Sequence, residues 1–331
     1  MLERLAAFLD HHAKVLLTTH ENPDGDGVGA AVALAAHLKG LGREARIVVA
    51  PALPGNLRFL DPEGWIEAFD PADAHRDLAA WPDAWLLIDA SEPHRLGSLF
   101  PAFEATAAAK ACLDHHLKDA PKGFDAEFTD ATASASAELV YDLVRPGHAG
   151  PLPEVMAQAL YAGIVSDTGN FRHSNATPKV HRIAADLVGQ GVHPARTYNA
   201  LYQTATPAKL KLFGRALEGL QLRGGGRFAY VAVTKADLAA CGATHEDLDE
   251  LVEEPRKLQG VEVAALFSEA PDGRAKVSLR SRERVDVNAV CRHFGGGGHR
   301  LASGAKAALP LPAFIAQVEA AVLTQMGRDL V

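Results

Sequence analysis

Acidic and imidazole side chains recur between residues 20 and 167 of this 331-residue chain, each beside an apolar stretch. They are His20, Asp24, Asp26, Asp89, His115 and Asp167. Divalent ions such as Mn²⁺, Co²⁺ and Fe²⁺ prefer carboxylate and imidazole ligands. The set lacks cysteine, which argues against a structural zinc site. So many anionic groups converge only around cations, because their mutual repulsion is large. Six ligands fit two ions that share a carboxylate, an arrangement suited to phosphoryl hydrolysis.

Each of these residues, taken alone, also has a plain structural explanation. The string Asn-Pro-Asp-Gly-Asp at 22–26 is typical of a surface turn before a helix, although an extended segment would put Asp24 and Asp26 on one face. Asp89 and Asp167 could be turn or capping residues. Adjacent histidines such as His115 and His116 are usually solvated or partly buried. The metal site is favoured only by the whole set.

The elements that must position these residues follow from the hydrophobic pattern. Apolar runs at 15–19, 45–50, 84–90 and 110–114 predict strands, and 28–39 predicts a helix. Apolar strands separated by helices predict a parallel sheet with helices on both faces. In such sheets the chemistry lies at the carboxyl ends of the strands. We therefore predict an α/β catalytic domain over residues 1–190.

The second half of the chain has a different pattern. Residues 153–219 are mainly helical, apart from a loop at 166–175. Strand-like runs follow the Arg-Gly-Gly-Gly-Arg string at 223–227, and the last helix is expected at 312–323. We predict a helical linker over 191–220 and a smaller α/β domain over 221–331.

Composition and charge limit the classes of function. With 48% hydrophobic and 22% charged residues, the chain should be globular. A net charge of −8 argues against a broad electrostatic grip on long nucleic acid. Residues 272–306 are the exception, because eight basic and three acidic residues give this segment a charge of +5. This basic segment suits a small anionic ligand.

Localisation follows from the absence of targeting signals in this sequence. No apolar run is long enough to span a bilayer, and Glu3 and Asp10 interrupt the only candidate signal core. The three cysteines are too few and too scattered for a disulfide framework. A cytoplasmic protein without a membrane partner is expected.

Together the motifs resemble those of a known family. His-Glu-Asn-Pro-Asp-Gly-Asp (20–26), Asp89, Asp-His-His (114–116) and Ser-Asp-Thr-Gly-Asn-Phe-Arg-His (166–173) resemble the four motifs of the DHH phosphoesterase superfamily. Val-Ser-Leu-Arg-Ser (277–281) and Gly-Gly-Gly-Gly-His (295–299) resemble its partner domain, DHHA1. Within the family the chain looks like the nano-RNase subgroup, which implies degradation of short RNA or DNA oligonucleotides to mononucleotides and dephosphorylation of 3′-phosphoadenosine 5′-phosphate (pAp).

The resemblance also implies roles for the residues of the first domain. One metal would be held by His20, Asp24 and Asp89, and the second by Asp26, Asp89, His115 and Asp167. Both metals would be divalent ions. Mn²⁺ is the preferred identity, with Co²⁺ or Fe²⁺ as alternatives. His116 would face the scissile phosphate and assist charge transfer or protonation of the leaving oxygen, and Asp114 would orient the histidine pair.

The second domain would hold the part of the substrate away from the scissile phosphate. Arg280 and Ser281 would hold a phosphate or base, and His299 would meet the substrate from the opposite wall of a cleft. The glycine run that includes Gly297 and Gly298 has two interpretations. It could be a flexible loop, or it could let backbone N–H groups approach a phosphate or base closely. Further candidates follow Asp167, namely Asn170, Arg172 and His173. A cleft between domains predicts a preference for dinucleotides and short oligomers.

Two other functions stay open on the sequence alone. The same scaffold could act on linear or cyclic di-adenylate, or it could be a non-catalytic nucleotide-binding sensor. The complete set of expected ligands argues against the sensor. No protein partner is implied, and a homodimer is left open.

Overall fold

The computed structural model describes residues 1–72, 74–116 and 123–330. It divides the chain into two compact units, Met1–Thr204 and Ala205–Val331. The division falls within the predicted 191–220 linker, and a helix lies on either side of it.

A six-stranded parallel sheet forms the centre of the first unit. Its strands are β1 (Lys14–Thr19), β2 (Glu44–Val49), β3 (Ile66–Ala68), β4 (Ala84–Ile88), β5 (Ala109–Asp114) and β6 (Ala126–Thr129), in the order β3-β2-β1-β4-β5-β6. Leu17 of β1 pairs with Ile47 on one side and Leu86 on the other. The strand order reverses direction between β1 and β4, which is the point where open α/β sheets bind ligands.

Helices cover both faces of this sheet. They are α1 (Leu2–Asp10), α2 (Gly25–Gly40), α3 (Phe100–Ala105), α4 (Ser136–Val144), α5 (Glu154–Asp167), α6 (Pro178–Gly189) and α7 (Pro194–Tyr202), with short 3₁₀ helices at Gly55–Leu60, Leu78–Ala80, Pro93–Leu99 and Arg145–Gly147. Leu17 packs in the core formed with α2, α4 and α5, whereas Leu16 packs on the opposite face with Leu96 and Phe103. The predicted fold class is confirmed for this unit.

Helix α2 begins three residues earlier than its predicted start at Val28. The Asp24 carboxylate accepts hydrogen bonds from the backbone N–H groups of Asp26 (3.0 Å) and Gly27 (3.1 Å), which is a helix N-cap. The alternative of an extended segment with both side chains on one face therefore does not occur here. Asp24 precedes the helix, and Asp26 lies in its first turn.

The second unit is built on a mixed sheet. Its strands are β7 (Gln221–Arg223), β8 (Phe228–Val233), β9 (Val263–Glu269), β10 (Ala275–Ser281), β11 (Gly297–His299) and β12 (Ala302–Ala307), in the order β11-β12-β10-β9-β8-β7. Strands β8 and β9 are parallel, and the other neighbouring pairs are antiparallel. Part of the glycine run is thus an edge strand.

Helices also pack on both faces of the second sheet. They are α8 (Pro207–Glu218), α9 (Lys235–Cys241), α10 (Glu253–Arg256), α11 (Val287–His293) and α12 (Leu311–Asp329), with a 3₁₀ helix at Glu246–Leu248. Phe267 packs with Phe314 of α12 on one face, and Val231 packs with Leu212 of α8 on the other. Helix α12 runs six residues past its predicted end at Leu323. Among the described residues, no helix combines the length and apolar character needed to cross a bilayer.

Candidate functional site

Three neighbouring strands deliver the first group of candidate ligands. His20 follows β1, Asp89 follows β4, and His115 follows β5, which ends at Asp114. These strands are adjacent in the sheet, so their carboxyl ends meet on one edge. The remaining carboxylates come from helix ends. Asp24 and Asp26 lie at the start of α2, and Asp167 is the last residue of α5.

The first cluster contains His20, Asp24 and Asp89. The His20 Nε2 atom lies 3.6 Å from Asp24 Oδ2 and 3.5 Å from Asp89 Oδ2. The other ring nitrogen of His20, Nδ1, lies 2.9 Å from the Glu21 carbonyl, which fixes the ring. Donor atoms of these three residues are close enough to share one metal ion.

The second cluster surrounds His115. Its Nε2 atom lies 3.0 Å from Asp167 Oδ2, 3.8 Å from Asp26 Oδ2 and 3.4 Å from Asp89 Oδ1. Asp26, His115 and Asp167 could also hold an ion together. Asp89 therefore approaches both clusters, with one carboxylate oxygen toward each histidine.

Three residues at or just before the start of α4 support the clusters, and sequence reasoning missed them: Ala133, Ser136 and Ala137. The backbone N–H groups of Ser136 and Ala137, at the start of α4, donate to the two oxygens of Asp26 at 2.6 and 2.8 Å. The Ser136 hydroxyl donates to Asp89 Oδ1 at 3.2 Å, and His115 Nδ1 lies 3.3 Å from the Ala133 carbonyl. The only sequence signal is a run of small residues before a helix, which is common in proteins without such a role.

Burial and the charges of neighbouring side chains shift the pKa values of the candidate metal ligands. Burial and the charges of Asp89 and Asp167 raise the pKa of Asp26 well above its usual value. Burial alone would lower the pKa of His20, but contacts with Asp24 and Asp89 outweigh it and raise that pKa to about 10. Contacts with Asp167 and Asp89 likewise outweigh burial and raise the pKa of His115 to about 11.

These shifts test whether the residues suit divalent cations. Burial would raise the pKa of Asp89, yet contacts with His115 and His20 hold it below its usual value, so Asp89 is a buried anion that needs positive charge nearby. His115 Nε2 is buried and makes no hydrogen bond within the described part of the chain, although three carboxylates surround it. A cation among these donors would supply the missing charge and partner. The donor set therefore fits divalent metal ions.

His116 lies beside the clusters, where its donor atoms are also close to those of Asp89 and His115, and it is linked to Asp114. Its Nδ1 atom lies 2.7 Å from Asp114 Oδ1, and the same oxygen accepts the backbone N–H groups of His115 (2.9 Å) and His116 (3.2 Å). Burial raises the pKa of Asp114, but contact with His116 outweighs it, so the pKa is lower than usual. The ionised carboxylate thus holds the His116 ring in one orientation.

The candidates after Asp167 form a tight turn beyond α5. Asn170 has a positive φ of 58°, and its N–H donates to the Val165 carbonyl at 2.8 Å. The Arg172 Nε donates to the Gly169 carbonyl at 2.8 Å, and the exposed His173 places Nδ1 3.3 Å from the Asp167 carbonyl. The turn brings all three close in sequence and space to one candidate metal ligand.

The other candidates lie together in the second unit. Ala302 of β12 pairs with Arg280 on one side and His299 on the other, so these two residues share one level of the sheet. The Arg280 Nε atom is 3.5 Å from Glu253 Oε1, a long ion pair. Ser281 is buried, and its hydroxyl has no hydrogen-bond partner among the described residues.

Gly297 and Gly298 lie in exposed strand β11, next to His299. Gly298 has a φ of +142°, and a Cβ atom there would lie 2.6 Å from the Ala302 carbonyl. Glycine is therefore required at this position for the strand to pair.

Comparison with known proteins gives a consistent result over both units. The profile of the DHH family, N-terminal domain, matches residues 14–164, and that of the DHHA1 domain matches residues 225–324. The chain is 34% identical to the bifunctional oligoribonuclease and PAP phosphatase NrnA of Thermus thermophilus, covering 88% of this chain and 83% of the relative. The protein of the same name from Bacillus subtilis is 29% identical and covers 88% of each chain.

A solved structure has the same overall fold. The crystal structure of an exopolyphosphatase-related protein from Bacteroides fragilis superposes with a TM-score of 0.92 at 23% identity, covering 99% of this chain and 96% of that one.

Proposed function

This chain belongs to the DHH family of phosphoesterases and carries a DHHA1 domain, and we propose that it hydrolyses short oligonucleotides to mononucleotides and removes the 3′-phosphate of pAp. Two relatives named as bifunctional oligoribonuclease and PAP phosphatase match along most of their length. The observation that carries the proposal is the pair of donor clusters that share Asp89. Such a pair suits phosphate-ester hydrolysis.

In this proposal two divalent ions occupy the first unit. His20, Asp24 and Asp89 hold one, and Asp26, Asp89, His115 and Asp167 hold the other. Mn²⁺ is the first choice for an oxygen and nitrogen ligand set, with Co²⁺ or Fe²⁺ as alternatives. When bound, the ions supply positive charge that stabilises the attacking and leaving oxygens of the phosphate ester.

His116 and Asp114 act on protons in this proposal. Asp114 accepts a hydrogen bond from His116 Nδ1–H, which directs the other edge of the ring toward the scissile phosphate. His116 then assists protonation of the leaving oxygen. About a third of its side chain is exposed, so substrate can reach the ring (31%).

The second unit binds the remainder of the substrate. Arg280 clamps a phosphate or contacts a base, because guanidinium groups bind phosphate through two parallel hydrogen bonds. His299 contacts the substrate from the same end of the sheet as Arg280, the buried Ser281 lies next to Arg280, and Gly297 and Gly298 let backbone groups approach the substrate. Asn170 and Arg172 contribute from the first unit. Gripping a phosphate or base beyond the scissile ester favours substrates of one to a few nucleotides.

A substrate comparison tests the proposal. The purified protein with Mn²⁺ is given pAp, pApA, a long single-stranded RNA, cyclic di-adenylate and pyrophosphate, and kcat/KM is ranked. We expect pAp and pApA to exceed the long RNA by at least about tenfold, because binding energy away from the reacting phosphate is used only by a substrate that fits. The highest kcat/KM for pyrophosphate or cyclic di-adenylate would reject the assignment. Binding of pApA without turnover would instead identify a nucleotide sensor.

A further inference from the structure

Ser136 contacts both halves of the candidate metal centre. Its backbone N–H donates to Asp26 at 2.6 Å, and its hydroxyl donates to Asp89 Oδ1 at 3.2 Å. The residue is fully buried at the first position of α4. Among the described residues, Ser136 is the one whose hydroxyl donates a hydrogen bond to Asp89.

The two oxygens of Asp89 have different neighbours. Oδ2 lies 3.5 Å from His20 Nε2, and Oδ1 lies 3.4 Å from His115 Nε2. Rotation about the bond to the carboxyl carbon would disturb both approaches together. A hydroxyl fixed on Oδ1 opposes this rotation.

We propose that Ser136 is a positioning residue that sets the orientation of the Asp89 carboxylate, so that one oxygen serves each metal cluster. This inference rests on the proposed function, because it assumes that both clusters bind metal. Ser136 acts through Asp89 and needs no contact with substrate.

Loss of the Ser136 hydroxyl should mainly reduce the affinity for metal. Loss of a hydrogen-bond partner behind a metal ligand typically weakens metal binding by about 10–100-fold. A side-chain substitution leaves the backbone N–H of residue 136 in place, so Asp26 keeps that hydrogen bond. The effect of Ser136→Ala therefore reports on Asp89 rather than on the whole start of α4.

Ser134 provides a matched control. It lies two residues away, is also buried, and its hydroxyl donates to the backbone carbonyl of Asn175 rather than to a candidate metal ligand. Ser134→Ala should thus remove a buried hydrogen bond of similar kind without freeing Asp89. The two variants separate a structural loss from a positioning loss.

The test compares metal binding and stability in the full-length protein. Mn²⁺ titration by calorimetry gives affinity and stoichiometry, and thermal melting with and without Mn²⁺ gives the metal-induced rise in Tm. For Ser136→Ala we expect Mn²⁺ affinity to fall about 10–100-fold, with a smaller metal-induced rise in Tm. Ser134→Ala should lower the metal-free Tm and keep the wild-type affinity. Ser136→Cys, which is slightly larger but offers a weaker donor at the same position, should have an intermediate affinity.

Two results would overturn the inference while leaving the proposed function intact. One is an unchanged Mn²⁺ affinity in both Ser136 variants, and the other is an equal loss of affinity in Ser134→Ala. Failure of the wild-type protein to bind Mn²⁺ would be a different result, since it removes the metal centre itself and the inference with it.

Discussion

At the scale of single residues, Asp89 is the residue that links the two donor clusters of the candidate site. It is buried, it approaches both histidines, and its backbone has a positive φ of 63° at the end of β4. Positive φ in a residue other than glycine costs about 1–3 kcal/mol and is often found where function requires a particular side-chain direction. Aspartate and asparagine tolerate this backbone better than most residues.

Asp89→Asn is therefore the preferred test of the shared carboxylate. The substitution keeps shape and backbone preference but removes the charge, so both metal positions lose a ligand. We expect kcat for pApA to fall at least roughly a hundredfold, a loss comparable to removing one stabilising group from a catalytic site. Steady-state assays with saturating Mn²⁺ measure this. Turnover near the wild-type rate would rule out the bridging role.

Arg280 allows a test of substrate binding away from the reacting phosphate. We expect Arg280→Ala to raise KM for pApA about tenfold, as for loss of a charged hydrogen bond, with kcat changed by less than about threefold. Arg274→Ala is the control, because Arg274 is exposed just before β10 and pairs with Asp272. Equal KM values for wild type and Arg280→Ala would exclude this residue from substrate binding.

At the scale of elements, the packing of α2 against α5 places three carboxylates. Asp24 and Asp26 lie at the start of α2, and Asp167 ends α5. The two helices touch through Gly29, where an added Cβ would lie 2.4 Å from the carbonyl oxygen of Ala159. A small residue here lets the backbones approach, and this approach sets the spacing of the carboxylates.

Gly29→Ala should separate the two helices. We expect a loss of about 1–3 kcal/mol in the free energy of unfolding, the usual cost of overpacking a core, together with weaker Mn²⁺ binding. Gly40→Ala is the matched control in the same helix, because no atom lies within 4 Å of its added Cβ. This control should be neutral or stabilising by up to about 1 kcal/mol. Denaturant unfolding distinguishes the two, and equal stability of both variants would show that α2 and α5 can adjust.

At the scale of the whole molecule, metal binding and protonation are linked to folding. Without metal, the pKa values of His20 and His115 are about 10 and 11, above the ordinary 6.5. At pH values between 6.5 and the folded pKa of each histidine, the folded state binds more protons than the unfolded state. The stabilisation from each histidine is therefore fully present below about pH 6.5 and is lost as pH rises toward the folded pKa.

Chelator-treated protein should accordingly lose stability as pH rises. We expect its Tm to fall by on the order of 5 °C or more between pH 6.5 and 9. Protein saturated with Mn²⁺ should show a weaker or opposite trend, because metal binding requires deprotonated ligands and is favoured at higher pH. Differential scanning calorimetry in both conditions measures this. A Tm that rises with pH in the metal-free protein would contradict the protonation of these histidines.

The sequence by itself determined the fold class, the family and the candidate ligands. Apolar strands ending in His20, Asp89 and Asp114 were visible as local patterns, because a buried parallel strand needs continuous apolar residues and its end can be polar. The local structure of residues 22–26 was harder to predict. Whether Asp24 begins a helix or lies in an extended segment depends on two capping hydrogen bonds from the backbone of Asp26 and Gly27, which a motif does not reveal.

Tertiary structure alone decided how these ligands are held and divided into clusters. The sequence contained no sign that Ser136 contacts Asp89, since these residues are 47 positions apart and meet only after the sheet and α4 have packed. The same applies to the close approach of Gly29 to Ala159, and to the pairing of the glycine run as an edge strand. Local patterns record which residues favour an element, whereas contacts between distant elements depend on packing that the whole chain determines.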